Sequence, residues 1–336
     1  MNARKFITVA AALAVWGGAS AQPVMEAVIG NNFGHLPMFV GVEKGLFKQH
    51  GVDLKLKVVN TGTDMVNAMQ RNEVQFGDMS VTTFLKARHA GAPFRVVGMI
   101  MNDATTAFAD SPLAIVARRG SGITKVEDLK GRRVGLAKEQ TSDEYLKMVL
   151  ARRGMKYDDV SIENIMAPPA LGPALAEGRV DAVVSWEPYN VMAMSKAPDS
   201  YEVLRGGGHL SYMMIVTVHD PMLKERPQLI QDFVNGLAAA SHYTRQHRAE
   251  AVQIFAKWVP GVDLDVARKA IQHISYDPRM SRESLRAFAN AQDDLLKLTI
   301  KDGKPLEITD VVLTRFTEAA QKKHPEYFAD LPALPR

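Results

Sequence analysis

The chain has 336 residues, of which 46% are hydrophobic and 23% are charged. This length and apolar content are enough for one large domain or two medium-sized domains with real cores. The absence of cysteine excludes disulfides, thiol nucleophiles and thiolate metal sites.

A signal peptide is predicted at the amino terminus. Arg4 and Lys5 precede an apolar run over residues 6–16, and Ala19-Ser20-Ala21 follows it, an order typical of a cleaved secretory leader. The run is too short for an uncleaved membrane anchor, because a helix needs ~20 residues to span a bilayer. We therefore expect residues 1–21 to be removed and the protein to reside in the periplasm, without the lipid that a first mature cysteine would carry.

The charge balance argues against a nucleic-acid partner. The formal net charge is +4, and removal of Arg4 and Lys5 leaves +2. The sequence has no run of basic residues, whereas nucleic-acid binding requires a basic patch or stripe.

Strands and helices alternate from residue 27 onward, which predicts parallel α/β sheets. Lys55 and Lys57 alternate with apolar residues, so the strand that carries them is expected at a sheet edge. The first unit consists, in order, of a strand from residue 27, a helix opened by Pro37 and ended by Gly51, a strand at 54–59, a helix at 64–71, a strand at 74–79, a helix at 81–89 and a strand at 94–100.

The same order returns about a hundred residues later. The second unit consists of a strand at 133–136, a helix at 142–152, a strand at 160–165, a helix at 170–177 and a strand at 181–185. Two such units in one chain predict two lobes, each with its own mainly parallel sheet.

Two further apolar strands, at 111–117 and 212–218, are interpreted as antiparallel hinge strands between the lobes; ordinary sheet strands are the alternative. Helices with apolar stripes, such as Ile230, Phe233 and Leu237, are expected after residue 225 and should cover the first sheet. The predicted organisation is a signal peptide at 1–21, a first lobe of residues 22–115 and 213–336, and a second lobe of residues 116–212.

Ligands of open α/β sheets bind beyond the carboxyl ends of the strands. This rule selects the loops at 31–36, 80–83, 102–103, 138–142 and 186–188. Three of these loops open helices, whose free amide groups favour an oxyanion such as a carboxylate or sulfonate. Acidic residues in or beside the same loops, Asp103, Asp143 and Glu187, suit an amine or a heterocycle instead.

The sequence offers little for catalysis. His242 and His247 are five residues apart, whereas metal ligands on one helical face are three or four apart. No nucleophile elbow, Walker loop or dinucleotide fingerprint is present. His35 could act as a base, but without a partner nucleophile a hydrogen bond to a ligand is the preferred interpretation. We therefore predict no metal, no cofactor and no enzymatic activity.

Five stretches resemble the solute-binding proteins of ABC importers of the nitrate, sulfonate and taurine type, which have the type II periplasmic-binding-protein fold. They are residues 36–47 (LPMFVGVEKGLF), 74–78 (VQFGD), 126–135 (VEDLKGRRVG), 178–182 (GRVDA) and 186–189 (WEPY). The resemblance implies an α/β protein with two lobes, two mixed, mainly parallel sheets and two hinge strands. It also implies a monomer that closes on a small-molecule ligand and docks on an ABC permease in the inner membrane.

The resemblance places seven polar residues in loops that line the cleft: Asn32, His35, Ser80, Asn102, Thr141, Ser142 and Glu187. The strand-end loops and aromatic side chains add Phe33, Thr82, Gln140, Trp186 and Tyr212 as ligand contacts. The family commonly has glycine and threonine where this chain has Gln140 and Thr141. No arginine stands in these loops, so no bidentate clamp on an anion is predicted.

The sequence supports three functional hypotheses. The leading hypothesis is a binding protein that takes up a sulfonate, carboxylate or related oxyanion for import. The second is an enzyme or binding protein for a pyrimidine-type heterocycle, with His35 or Glu187 as the reacting group. The third is a sensory module that presents its ligand to a membrane receptor.

Overall fold

A computed structural model describes residues 24–300 and 303–335. The predicted signal peptide, residues 1–21, lies outside the described residues. Within them the chain forms two five-stranded sheets. The strands are β1 Val24–Gly30, β2 Asp53–Val59, β3 Phe76–Ser80, β4 Phe94–Met101, β5 Leu113–Ala117, β6 Arg133–Leu136, β7 Ser161–Asn164, β8 Ala182–Trp186, β9 Tyr201–Arg205 and β10 Met214–His219.

The two sheets have matching architecture. The first has the order β2-β1-β3-β10-β4 and the second the order β7-β6-β8-β5-β9. In each sheet one strand, β10 or β5, runs against the other four. The predicted α/β class with two mixed, mainly parallel sheets is confirmed, and β2 with its two lysines lies at an edge as expected.

The helices connect the strands and cover both sheets. The helices are α1 Leu36–Glu43, α2 Leu46–Gln49, α3 Gly62–Gln70, α4 Val81–His89, α5 Thr141–Arg152, α6 Leu171–Ala176, α7 Tyr189–Lys196, α8 Asp220–Glu225, α9 Pro227–Gln246, α10 Arg248–Trp258, α11 Leu264–Ala270, α12 Arg282–Leu298, α13 Ile308–Val311 and α14 Arg315–Lys323. Among the described residues, no helix combines the length and apolar character that crossing a membrane would require.

The chain crosses between the sheets twice, through residues 102–112 and 206–213. Asp110 ties these connections together, because its carboxylate accepts hydrogen bonds from the amides of Gly208, His209 and Leu210. The strands predicted at the hinge each lie inside one sheet: β5 pairs with β8 and β9, and β10 with β3 and β4. Strand β5 lies between β8 and β9, inside the second sheet. We therefore place the lobe boundary at 102–112 instead of at residue 115.

Both faces of the first sheet are buried by helices. Alternate residues of β1 point to opposite sides: Ile29 belongs to the cluster that contains Phe233 of α9, and Val28 to the cluster that contains Phe288 of α12. The rings of Phe233 and Phe76 stack with centroids 3.9 Å apart. The predicted apolar stripes of the carboxyl-terminal helices therefore cover this sheet.

The structure differs from the predicted elements at several further points. The single helix expected from Pro37 to Gly51 is broken at Gly45, whose φ of 67° is left-handed, and becomes α1 and α2. Helices α7 and α8 and strand β9 are also absent from the predicted elements. Strand β9 has five residues, four of which pair with β5, and a half-buried strand of that length has little periodic pattern to detect.

Candidate functional site

The carboxyl ends of the two sheets face each other across a cleft between the lobes. Gly30 ends β1, Ser80 ends β3 and Trp186 ends β8, and all three line a cavity of about 30 Å³. We call it the inner cavity. Its lining residues are Gly30, Asn32, His35, Asn60, Gly62, Met65, Ser80, Thr83, Gln140, Thr141, Trp186, Tyr212 and Met214.

Asn32 fixes the first loop of the cleft. Its Oδ1 accepts a hydrogen bond from the Gly34 amide at 2.8 Å, which caps the short helical turn that follows. The Phe33 ring packs on Phe255 with centroids 4.4 Å apart, so the ring belongs to the core. The Phe33 amide donates to the carbonyl of Glu187 at 3.4 Å, a direct link between the lobes.

A buried histidine and a buried aspartate lie side by side on the first-lobe wall of the cleft. Nδ1 of His35 is 2.7 Å from Oδ2 of Asp78, and neither side chain is exposed. Burial raises the pKa of Asp78, and the nearby His35 opposes that rise. Nε2 of His35 has no hydrogen-bond partner among the described residues. A solute in the inner cavity can supply that partner.

Gly30 makes room for the imidazole ring of His35. A Cβ atom at Gly30 would lie 2.5 Å from Nε2 and 2.9 Å from Cδ2 of this ring. Both distances are shorter than any normal contact, so only glycine leaves room for the ring in this position beside β1.

Hydroxyl groups bridge the two lobes across the inner cavity. Oγ of Ser80 is 3.0 Å from Oγ1 of both Thr82 and Thr83. From the second lobe, Oγ1 of Thr141 lies 3.3 Å from Oγ of Ser80 and from Oγ1 of Thr82. These hydroxyls can each donate or accept, so they adapt to the polarity of a bound group.

Two helices begin at this cleft, one from each lobe. Ser80 caps α4 through a bond from the Thr83 amide at 3.2 Å, and Gln140 occupies the cap position of α5. Oε1 of Gln140 accepts from the Gly62 amide of the first lobe at 3.3 Å. The positive ends of both helix dipoles therefore converge on the cavity.

Two aromatic residues complete the lining. Trp186 and Tyr212 are both buried, and Nε1 of Trp186 has no partner among the described residues. An indole nitrogen can only donate, so it is poised to bind an acceptor. Burial raises the pKa of Tyr212, which keeps its hydroxyl neutral.

The carboxylate of Glu187 turns away from the inner cavity. Its Oε1 is 2.7 Å from Arg205, and its Oε2 accepts from the Val191 amide at 3.3 Å. Burial nevertheless raises the pKa of Glu187 to about 7, against the opposing charge of Arg205. This residue supports the second lobe and contributes only its main-chain carbonyl to the lobe contact.

The structure brings seven of the twelve predicted site residues together around the inner cavity: Asn32, His35, Ser80, Gln140, Thr141, Trp186 and Tyr212. The other five lie outside its lining. Phe33 is in the core, Thr82 is in the hydroxyl cluster and Glu187 faces Arg205. Nδ2 of Asn102 donates to the Arg279 carbonyl and to Ser284, and Oγ of Ser142 donates to the Ala137 carbonyl.

Sequence reasoning missed several residues of the site. Asn60 and Gly62 follow β2 at its carboxyl end, so the strand-end rule applies to them as well. Asp78 could also have been found from the sequence, because it is a carboxylate inside an apolar strand. All five residues of that strand are buried, and a charged side chain is rarely buried without a role.

The lobes are closed over the inner cavity. Nζ of Lys86 on α4 donates to Oε1 of Glu144 on α5 at 2.7 Å and to the Glu139 carbonyl at 3.0 Å. The other oxygen of Glu144 accepts from Thr299 at 2.7 Å. The cavity of about 30 Å³ has room for a few water molecules at most. A larger solute therefore fits only if the lobes move further apart.

Two observations bear on other kinds of site. A cavity of about 910 Å³ lies at the amino ends of the first sheet, beside Met25, Gln75 and His219, but residues of only one lobe line it, so its occupant would not couple to lobe closure. Within residues 24–300 and 303–335 there is no group of three potential metal ligands.

A family model described as NMT1/THI5 like matches residues 32–251. A Bacillus subtilis protein described as an aliphatic sulfonates-binding protein is 22% identical over 314 residues, which cover 91% of this chain and 92% of that protein. The 4-amino-5-hydroxymethyl-2-methylpyrimidine phosphate synthase of Saccharomyces cerevisiae is 23% identical over 255 residues, 71% of each chain.

Among solved structures, the periplasmic aliphatic sulphonate binding protein SsuA of Escherichia coli superposes with a TM-score of 0.72. The match covers 87% of this chain and 98% of that chain at 19% identity. This likeness shows that the chain has the fold of a periplasmic binding protein.

Proposed function

The chain belongs to the NMT1/THI5-like family, and we propose that it is an exported solute-binding protein of an ABC importer. It captures a small organic solute, a sulfonate, carboxylate or related oxyanion, between its lobes and delivers it to a membrane permease. The observation that carries this proposal is the inner cavity, where both lobes present polar groups that have no partner within residues 24–300 and 303–335. Nε2 of His35 and Nε1 of Trp186 are the two clearest cases.

An oxyanion suits the donors around the cavity. The N-termini of α4 and α5 meet there, and helix N-termini bind anions through free amides and the helix dipole. Trp186 adds a donor, and Ser80, Thr83 and Thr141 add hydroxyls. No arginine or lysine lines the described cavity, so these neutral donors replace the bidentate clamp that arginine usually provides. The sulfonate-binding descriptions of the relatives agree with this ligand class.

Binding couples to lobe closure. The hydroxyls of Ser80 and Thr141 come from different lobes and lie 3.3 Å apart, so a solute that bonds to both holds the lobes together. A ligand shifts a conformational equilibrium only through its differential affinity for the two states. Contacts of this kind exist only in the closed state, which supports recognition of that state by a permease.

A pyrimidine-type heterocycle is the second candidate, as ligand or as substrate. The yeast relative is a pyrimidine phosphate synthase, and the His35 and Asp78 pair has the arrangement in which a carboxylate orients an imidazole for proton transfer. The protein would then convert the heterocycle, whereas a binding protein would return it unchanged.

Calorimetry on residues 22–336 tests the proposal. The panel contains alkanesulfonates, alkanecarboxylates and aminopyrimidines, each followed by chromatography for conversion. We expect unchanged sulfonate or carboxylate to bind with a micromolar Kd, about 8 kcal/mol, and small-angle scattering to report contraction. Thr141→Val should weaken binding, while Thr63→Val, an exposed threonine on α3, serves as the matched control. Absence of binding by every oxyanion would overturn the proposal, and conversion of a pyrimidine would establish the second candidate.

Cell fractionation tests the proposed location. The full chain, produced in a Gram-negative host, should appear in the periplasmic fraction. Its mass should be that of residues 22–336, with Gln22 as the first residue. A chain that keeps residues 1–21 and stays with the membranes would contradict export as a free periplasmic protein.

A further inference from the structure

The charge of the inner cavity depends on one histidine and the aspartate that contacts it. Among the residues that line the cavity, only His35 and Tyr212 can change their protonation state. Burial raises the pKa of Tyr212, and the charge of Asp78 adds to the rise, so the phenol stays neutral. Oδ2 of Asp78 lies 2.7 Å from Nδ1 of His35. We call His35 and Asp78 the buried pair.

The elements packed around the buried pair add no further charge. The first lobe contributes Gly30 of β1, Met65 of α3 and Met214 of β10 to the cavity wall, and the second lobe contributes neutral side chains such as Thr141 and Trp186. Within the described residues, no lysine, arginine, aspartate or glutamate lines the cavity. The charged groups described above at the edge of the cleft pair with each other across the lobes.

The carboxylate of Asp78 has little support besides the imidazole. Its side chain is fully buried, and in the described part of the chain neither of its oxygens has a hydrogen-bond partner apart from the contact with His35. A buried charge without such partners is costly, and burial accordingly raises the pKa of Asp78. A negative charge on the buried pair is therefore unfavourable, and a second negative charge in the cavity makes it more so.

Nε2 of His35 is the atom of the buried pair that a solute can reach, because Nδ1 is occupied by Asp78 and Nε2 has no partner among the described residues. A neutral imidazole whose proton lies on Nδ1 offers only a lone pair at Nε2. The pair then carries a negative charge, and both features repel an oxyanion. With a second proton, on Nε2, the nitrogen becomes a donor and the pair becomes neutral.

We infer that the buried pair takes up a proton from solvent when an oxyanion binds, so that Nε2–H of His35 donates to the anion. This inference rests on the proposed function and deepens it. Ser80, Thr141 and the helix ends can bind the oxygens of the solute, but they bring no full positive charge to balance it. The imidazolium has a negative partner on each side, the solute and Asp78. One added proton compensates the charge of a monoanion and not that of a dianion, so the buried pair matches the cleft to singly charged solutes.

Calorimetry at several pH values on residues 22–336 tests this inference. The probes are butanesulfonate and butanoate, which stay singly charged between pH 6 and 9. Tris and bis-tris propane serve as buffers, because they differ in ionisation enthalpy and add no oxyanion of their own. The change of binding enthalpy between the buffers counts the protons taken up. We expect about one proton per anion at the alkaline end of the range, where the Kd should rise about tenfold per pH unit.

A double variant, His35→Gln with Asp78→Asn, removes the titration. Both amides are neutral, and the glutamine keeps a donor for the cavity. This variant should bind with a proton count near zero and a Kd that no longer changes with pH. His50→Gln removes another histidine of the first lobe, half-buried and outside the cavity lining, and should keep the wild-type count.

The possible results separate the two proposals. Binding of either probe by the wild type without proton uptake, and with a constant Kd from pH 6 to 9, would overturn the inference and leave the proposed function standing. A double variant that keeps the wild-type count would also overturn it, since the proton would then bind elsewhere. If the double variant does not fold, the count in the wild type decides alone. If no oxyanion binds at any pH, the proposed function fails and the inference fails with it.

Discussion

The ammonium group of Lys86 in the first lobe lies 2.7 Å from a carboxylate oxygen of Glu144 in the second. Glu144 is 2% exposed, and its other oxygen accepts from Thr299, again in the first lobe. One buried carboxylate thus joins α4 and α5 to Thr299, which directly follows α12, at the edge of the cleft. Its contacts with the first lobe exist only while the lobes are closed.

Lys86→Met is predicted to shift the protein toward the open state. A hydrogen bond to a charged group contributes about 1.5 kcal/mol or more, so the ligand affinity should fall by about tenfold while the inner cavity keeps all its residues. Small-angle scattering of the ligand-free variant should report a larger radius of gyration. Lys130→Met removes an exposed pair with Asp159 and serves as the control. An unchanged radius and an unchanged Kd would show that this contact does not hold the lobes.

Gly30→Ala is predicted to damage binding more than folding. The added Cβ would lie 2.5 Å from Nε2 of His35, so the imidazole has to leave its place beside Asp78. Ligand affinity should fall by at least about tenfold, for two reasons. The ligand loses its hydrogen bond to His35, which is worth ~1 kcal/mol, and the displaced ring also blocks the cavity. In the matched change Gly98→Ala in β4, the nearest atom to the added Cβ is the end of Leu237 at 3.2 Å, and Val216 lies at ordinary contact distance. Equal affinity of the two variants would contradict the assigned role of His35.

The sequence predicted the elements better than it predicted side-chain directions. Helix and strand periods located nearly every element that borders the cleft, and the strand-end rule found its loops because both depend on local pattern. Glu187 shows the limit. It does follow a strand end, but its carboxylate forms an ion pair with Arg205, which lies 18 residues further along the chain. Arg205 is placed by β9, an element that the sequence did not reveal, so the direction of Glu187 depended on a tertiary contact.

Glu187→Gln is predicted to flatten the dependence of stability on pH. The pKa of this carboxyl is about 7 in the folded protein, raised by burial from 4.5. Its protonated form is favoured by folding, so its contribution to stability is complete below about pH 4.5 and is lost as the pH rises through 7. For a shift of this size the loss is of the order of 3 kcal/mol.

Urea denaturation between pH 4.5 and 8 measures this effect. The wild type should lose free energy of unfolding across the range, and Glu187→Gln should lose less. Part of the slope remains in the variant, because burial also raises the pKa of Asp78. Glu127→Gln, at an exposed pair with Arg153, should keep the wild-type slope. Parallel curves for the wild type and Glu187→Gln would show that this carboxyl does not titrate in the range.

Trp186→Phe is predicted to separate stability from binding. In the part of the chain that the structure describes, Nε1 of Trp186 is buried without a partner. Its loss therefore breaks no hydrogen bond in the ligand-free protein, and the free energy of unfolding should stay within about 1 kcal/mol of the wild type. Trp258→Phe is the matched control for stability, because its Nε1 donates to Glu43 and that bond is lost. If the indole nitrogen of Trp186 binds the oxyanion, Trp186→Phe should raise the Kd of the ligand about tenfold, which calorimetry measures. A variant that binds as tightly as the wild type would show that the solute leaves this donor unused.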